Sequence, residues 1–429
     1  MRLRFPKITF WRVIFAAILA SGLYATWLRI FYGLGGVTNL SDKFPWGIWI
    51  AFDIMCGVGL AAGGFTLVAI VHIFAIERYK PVLRPAILTA FLGYLLVVVG
   101  LLYDLGRPDR LWHPLVMWNP HSVMFEVAWC VTLYTTVLFL EFLPVVFEKF
   151  GWNQPIEWIH RISVPLMILG VLLSTLHQSS LGSLFLIVPE KLYPLWYSPI
   201  LPLLFYVSSI AVGLAMTIFE SWHSSRAFGR ALELPLLASL ARVLAVVLSV
   251  YLWIRILDLT HQHVWGLLGR NRIETWLFAL EMALMVIPAV LLFQERIRLS
   301  PGKLYACAVM VVFGFIANRM NVGTTGLEAG SGTHYFPKWS ELAVTLTLVA
   351  LGFAVFRWVA SYFPIFEAHA AGHAEFPLPV GHLGSVAGQS CDGNGAGGAA
   401  PLAGRLEKDR PDAVARAPQP GDGRAIPVP

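Results

Sequence analysis

The stretch WGIWIAFDIMCGVGLAAGGFTLVAIVHIFAI, residues 46–76, decides the fold class. Apart from the thiol of Cys56, its only ionisable side chains are Asp53 and His72. A helix needs about 20 apolar residues to cross a bilayer, and this run exceeds that. Working outward, nine further segments qualify or nearly so: 10–30, 85–105, 122–147, 162–188, 201–222, 235–257, 274–294, 303–318 and 341–363. The expected fold is therefore an all-α integral membrane protein of about ten transmembrane helices, with the membrane domain over residues 1–365. Arg2, Arg4 and Lys7 before the first run mimic a secretory signal. Its apolar stretch is longer than a signal core and leads directly to Trp27 and Arg29, so it reads as a retained helix.

Composition agrees. Of 429 residues, 57% are hydrophobic and only 13% charged, with mean hydropathy +0.68. Soluble domains carry about 25% charge, which excludes a soluble enzyme, a disordered chain or a nucleic-acid binder. The net charge of +6 arises in the apolar region, because residues 366–429 carry 5 Lys/Arg against 7 Asp/Glu. That tail is rich in Gly, Ala and Pro and is expected to be disordered and cytoplasmic. Cys56, Cys130 and Cys307 sit in apolar stretches and Cys391 in the tail, with no metal- or cluster-binding spacing.

Basic residues orient the spans. Alternate loops beginning with the N-terminus carry 13 Lys/Arg, and the opposite loops carry 8. Both termini are expected on the cytoplasmic side of a bacterial or archaeal inner membrane. The opposite, outer loops are rich in Trp, Tyr, Pro and Gly, for example RPDRLWHPLVMWNPH and EKLYPLWYSPILP. Such loops suit the membrane interface or a docked partner.

Ionisable residues within spans are costly and mark cavities, pathways or pairs. On the outer side lie Asp53, about 12 Å deep by helical rise, with Tyr103, Asp104, Glu126, His177, Glu281, Arg255, Asp258, Asn318 and Arg319. The inner half holds His72, Glu141, Glu220 and Arg242. Several have bland readings. Asp104 with Arg107, and Arg255 with Asp258, stand at i, i+3 and can pair. His72 can snorkel, and Glu220 can pair with Arg242. Glu126 has no cation within a turn and needs a tertiary partner. Gly170, Ser174 and His177 share one helical face, which turns His177 inward. The polar run Gln178–Ser183 reads as irregular backbone against a cavity. A buried histidine beside a carboxylate suits proton-coupled redox chemistry, and a quinone taking two electrons must also take two protons. The same residues would serve a proton-coupled transporter. His72 and His177 lie toward opposite membrane faces, so no span-held haem and no iron–sulfur cluster is expected in this chain.

Four stretches carry a resemblance: FPWGIWIAFDIMCGVGLAAGG (44–64), NPHSVMFEVAWC (119–130), LSTLHQSSLGSLF (173–185) with KLYPLWYSP (191–199), and YFPKWSEL (335–342). They are similar to the NrfD/PsrC family of quinone-interacting membrane subunits, within it the ten-helix, HybB-type branch of hydrogenase-2 membrane subunits. The resemblance covers roughly residues 30–365. It implies two four-helix bundles, spans two to five and six to nine, plus flanking helices. It also implies electron exchange between menaquinone or ubiquinone and an extracytoplasmic ferredoxin-like iron–sulfur subunit. That subunit is wired in turn to a hydrogenase, a molybdoenzyme or a multihaem cytochrome. Asp53, Glu126 and His177 match the family's acidic and histidine positions, with Glu281 a related one. The expectation is a respiratory quinone-reactive subunit in which Glu126, His177 and Asp53 act catalytically. Tyr103 and Asp104 join His177 and Glu126 at the quinone. Glu281, Glu141, Glu220, Arg242 and His72 form a proton pathway. A transporter or a purely structural anchor are the alternatives.

Overall fold

The computed structural model describes residues 9–366, residue 271 and the side chain of residue 270 excepted. The expected disordered tail lies outside these residues, beyond Phe366, as do Arg2, Arg4 and Lys7. The described residues contain ten membrane-length helices: α1 (Phe10–Val37), α2 (Trp49–Ile73), α3 (Glu77–Asp104), α4 (Val123–Phe150), α5 (Asn153–Ile187), α6 (Leu201–Phe228), α7 (Leu234–His261), α8 (Ile273–Leu291), α9 (Pro301–Ser331) and α10 (Trp339–Tyr362). No strand occurs among the described residues. The chain is an all-α, multi-pass integral membrane protein.

Successive helices pack in two rings. α2–α3–α4–α5 close the first, since α5 returns to α2, and α6–α7–α8–α9 close the second, since α9 returns to α6. α1 and α10 pair with each other and flank the first ring, α10 lying on α3. The bundles meet where α2 touches α6 and α9 and α5 touches α6. Accordingly 78% of the most apolar window of α2 and 67% of that of α6 are buried, against 11% for α1. A helix apolar all round belongs either at such a centre or in lipid.

Small residues make the centre possible. Around GVGLAAGG, the backbone of α2 approaches Gly213 of α6 so closely that a Cβ on Gly213 would press on the Ala62–Gly63 backbone at 2.8 Å. α2 is also irregular. It is π-wound over Trp49–Cys56 and Ala69–Ile73 and interrupted near Ala61. Asp53 falls inside the first wide turn.

Two expectations change. The polar run Gln178–Ser183 is regular helix, ending α5's α-helical part at Ser183. Its hydroxyls bond back to the helix, Ser179 Oγ to Thr175 O at 2.9 Å and Ser183 Oγ to Ser179 O at 3.2 Å, which lets serine stay helical. Spans five and nine are longer than their apolar cores. α5 begins at Asn153, and α9 continues past Arg319 through a π-turn to Ser331, because Asn318, Arg319 and Asn321 are buried in the bundle.

Candidate functional site

The two faces of the molecule are named here by their loops. The aromatic-loop face carries residues 38–48, 105–122, 188–200, 262–272 and 332–338, and the basic-loop face carries the others.

In the first bundle a line of polar side chains runs inward from the aromatic-loop face. Ser122 caps α4, accepting from Phe125 N at 3.4 Å. One turn on, Glu126 Oε1 accepts from Ser180 Oγ of α5 at 2.6 Å. This is the tertiary partner that Glu126 required. His177 stands one turn before Ser180 on α5, fully buried, with Nδ1 2.8 Å from the Tyr94 hydroxyl of α3. Tyr94 meets Tyr134 of α4 edge to face at 4.7 Å. Ser174 and Gly170 continue the α5 face. A Cβ on Gly170 would lie 3.8 Å from the Tyr134 ring and 3.6 Å from Glu141 Oε1. The line thus spans Glu126 to Glu141, about 22 Å at 1.5 Å per residue.

Its polar atoms are poorly satisfied. His177 Nε2, Tyr134 OH, Ser174 Oγ, Gln178 Oε1 and Glu141 Oε1 are all buried without a hydrogen-bond partner among the described residues. Buried polar groups are normally paired, so a file of bare ones suits water, a transferred proton or a substrate atom.

Asp53 is not part of this file. Its Oδ2 accepts from Thr345 of α10 at 2.8 Å, and no hydrogen bond joins it to Glu126 or His177. It heads a second group under the same face, between α1, α2, α3 and α10. Tyr103 shares a hydrogen bond of 2.7 Å with Thr26. Arg29 of α1 donates to the main-chain oxygens of Tyr103 (2.8 Å) and Leu105 (2.6 Å), satisfying the carbonyl end of α3. Asp104 Oδ1 is buried and unpartnered. The expected Asp104–Arg107 pair does not form. Arg107 leaves the helix and pairs with Asp109 at 2.9 Å instead. Beside this group, Glu341 closes the N-terminus of α10, accepting from Lys338 N at 2.7 Å and from Tyr335 OH at 2.6 Å. Burial, then the bond to Glu341, push the Tyr335 phenol's pKa up, so it stays a donor. Tyr335 also stacks on Phe44 at 4.7 Å, joining FPWG to YFPKWSEL.

The second bundle is the reverse of the first. Glu281 Oε1 accepts from Asn318 at 2.7 Å, and its Oε2 accepts from Asn321 at 2.8 Å and Trp196 at 3.0 Å. Arg319 donates to Asn318 at 2.5 Å and Ser208 at 2.9 Å, with its guanidinium 3.5 Å from the Phe205 ring centroid. Arg255 and Asp258 form the expected pair, buried, at 3.0 Å. Asp258 also takes Ser198 and Gln262 at 2.8 Å each, and Arg255 holds Leu195 O. KLYPLWYSP is therefore the plug that seals this bundle.

The remaining candidates lie nearer the basic-loop face. Glu220 Oε2 accepts from Thr89 of α3 at 2.7 Å, and its other oxygen is buried and bare. Arg242 is exposed on α7 and does not pair with Glu220, and His72 is exposed at the end of α2. The sequence reading missed Tyr94 and Tyr134. The available signal was the recurrence Glu126, Cys130, Tyr134, Glu141 on one face of α4. Cys56, Cys130 and Cys307 are buried free thiols, and no cluster of three metal-ligating side chains occurs among the described residues.

Residues 36–328 match the family described as Polysulphide reductase, NrfD. A protein of Nitratidesulfovibrio vulgaris is 39% identical over 83% of this chain and 94% of its own length. The probable Ni/Fe-hydrogenase 2 b-type cytochrome subunit of Escherichia coli is 33% identical over 79% of this chain and 87% of its own length. The integral membrane subunit of the menaquinone reductase of N. vulgaris is 28% identical, covering 86% and 94%. The chain belongs to the NrfD family. The histidines do not suit a haem held between spans. His177 alone among the described histidines is buried in a span, and its Nδ1 is engaged by Tyr94.

Proposed function

We propose that this chain is the quinone-reactive membrane subunit of a respiratory oxidoreductase of the hydrogenase-2 kind. It exchanges electrons between menaquinone or ubiquinone and an iron–sulfur partner docked on the aromatic-loop face, which would be extracytoplasmic with both termini in the cytoplasm. The observation that carries this reading is the file of bare polar atoms through His177. The reduction of a quinone consumes two electrons and two protons. The chain's own groups in this reading handle the protons. Glu126, at the mouth, passes a proton through Ser180 and His177, whose two nitrogens let it receive on one side and give on the other. In the tautomer in which Tyr94 donates to Nδ1, the unpartnered Nε2 carries the ring hydrogen. Tyr134, Ser174 and Glu141 extend the route toward the basic-loop face, and Glu220 offers a second inner carboxylate. Asp53, Asp104 and Tyr103 support the quinone from the α1–α10 side.

Two further features support the reading. The relatives are named for hydrogenase 2 and menaquinone reductase. Above the first bundle, Trp112, Leu115, Val116, Met117 and Trp118 are exposed together, an apolar patch fit for a docked subunit.

Glu126→Gln and His177→Ala in the purified complex test the proposal. Quinone-linked turnover should fall at least about 100-fold, the usual scale of positioned acid–base catalysis, with assembly unchanged by size-exclusion chromatography. Wild-type turnover in both variants would leave only an anchoring role.

A further inference from the structure

Between α3, α6 and α10, toward the basic-loop face, lies an open groove of about 340 Å³. Its wall is almost wholly carbon, including Leu92, Leu96, Met216, Phe219, Phe353 and Phe356. That volume falls within the roughly 300–1,000 Å³ typical of ligand pockets. Most of the few polar groups lining it are already engaged. Thr89 donates to Glu220, and His223 Nε2 lies 3.0 Å from the Tyr305 hydroxyl. Glu220 Oε1 is buried and bare at the same wall, and Arg357 is the cation there whose side chain has no partner among the described residues. It stands on α10 five residues before the helix end, exposed, and its guanidinium has no hydrogen-bond or ion-pair partner among the described residues. Five residues of helical rise place it about 8 Å inside the end of α10. A cation this near the end of a span reaches the interface by snorkelling, where anionic headgroups can pair with it.

We propose that this groove binds one anionic phospholipid of the bilayer. Its phosphate pairs with Arg357 and one acyl chain lies along the wall. Charge complementarity selects the occupant. The cation has no carboxylate within ion-pair distance among the described residues, and the almost wholly carbon wall is a surface that an acyl chain can cover. The lipid then fills the space between α6 and α10 and helps to hold the flanking α1–α10 pair on the core. The groove shares Glu220 with the proton route proposed above, but lipid binding requires no proton transfer there, and its test reads lipid rather than turnover.

Native mass spectrometry of the intact complex in detergent, with dioleoyl phosphatidylglycerol and dioleoyl phosphatidylcholine as probes, provides that test. Phosphatidylglycerol should be retained at one molecule per chain and preferred over phosphatidylcholine. Arg357→Ala should weaken its retention about tenfold, equivalent to ~1.4 kcal/mol. Arg357→Lys should restore most of it. Ala227→Phe, at an exposed position on the groove wall, should block binding, whereas Lys303→Ala, remote on α9, should leave it unchanged. Wild-type retention in both Arg357→Ala and Ala227→Phe would overturn the proposal. So would equal retention of the two probes by the wild-type protein, a measurement that needs no variant. A co-purifying quinone displaced by Ala227→Phe would overturn it by showing that the groove is a quinone-tail site.

Discussion

The two four-helix bundles bury similar chemistry and treat it oppositely. In the second, Glu281 is served by three N–H donors, and Asp258 is met by Arg255, Ser198 and Gln262. Around these two carboxylates the atoms left bare are the Nε groups of Arg255 and Arg319, whose other nitrogens are engaged; Glu220 Oε1, Glu274 Oε2 and the Tyr193 hydroxyl are also bare, outside the hydrogen-bond networks of Glu281 and Asp258. In the first, Glu126 has one hydroxyl donor, and imidazole, phenol, hydroxyl and carboxylate atoms beyond it have none. An unsatisfied buried group costs about 1–3 kcal/mol. A satisfied network pins a structure, whereas a bare file in a fold that tolerates its cost is where protons and substrate act. Burial of a carboxylate alone does not distinguish these roles. The account of its hydrogen bonds does.

The largest expected effect tests the satisfied side. Glu281→Ala strands the donors of Trp196, Asn318 and Asn321 together. At about 1–3 kcal/mol for each stranded donor, the loss is about 3–9 kcal/mol, a large share of a typical domain's stability. Accumulation in the membrane and the thermal midpoint should collapse, while turnover per assembled complex stays within about threefold. Normal assembly with lost turnover would break the contrast and move chemistry into the second bundle.

What could be read from the sequence follows the same division. The spans were legible because length and apolarity are properties of a segment alone. The inward face of His177 was legible from Gly170 and Ser174, and the need for a partner at Glu126 from the lack of a local cation. The partner itself, Ser180, lies 54 residues away on another helix, and no local pattern reveals it. Tyr94 was invisible because a tyrosine in an apolar run reads as packing. Asp53 and Glu126 looked alike, since each is an acid near the same face. Only the packing of α10 against α3 and the Thr345 bond separates them. The length of α9 was hidden because Arg319 reads as a helix end when it is in fact a buried partner.

A second, smaller effect sharpens the contrast with a matched pair. Tyr134→Phe removes a hydroxyl that has no protein partner, so the thermal midpoint should hold or rise slightly. Turnover should fall about tenfold because the file loses a link, a fraction of the factor expected from a positioned acid or base. Trp196→Phe removes a donor from Glu281 and should do the opposite, lowering stability by about 1–3 kcal/mol at unchanged turnover per complex. Thermal melts and quinone-linked assays of both proteins read the two axes separately. If the two variants shift the same axis, the division between a pinned and a working bundle is wrong.

The smallest effect concerns the group at the α1–α10 side. Asp53 accepts a single side-chain hydrogen bond, from Thr345, and a Cβ on Gly100 of α3 would lie 3.3 Å from its own Cβ. Asparagine keeps an acceptor for Thr345 and nearly the same shape. Asp53→Asn should therefore change quinone-linked turnover by no more than about threefold, within one ordinary hydrogen bond's worth. Glu126→Gln, by contrast, takes an acid from the mouth of the file. A loss in Asp53→Asn as deep as that in Glu126→Gln would mean that the reacting ring sits against Asp53 and Asp104. The unpartnered Asp104 Oδ1 would then be its neighbour, and the His177 file would be the supply line rather than the point of contact.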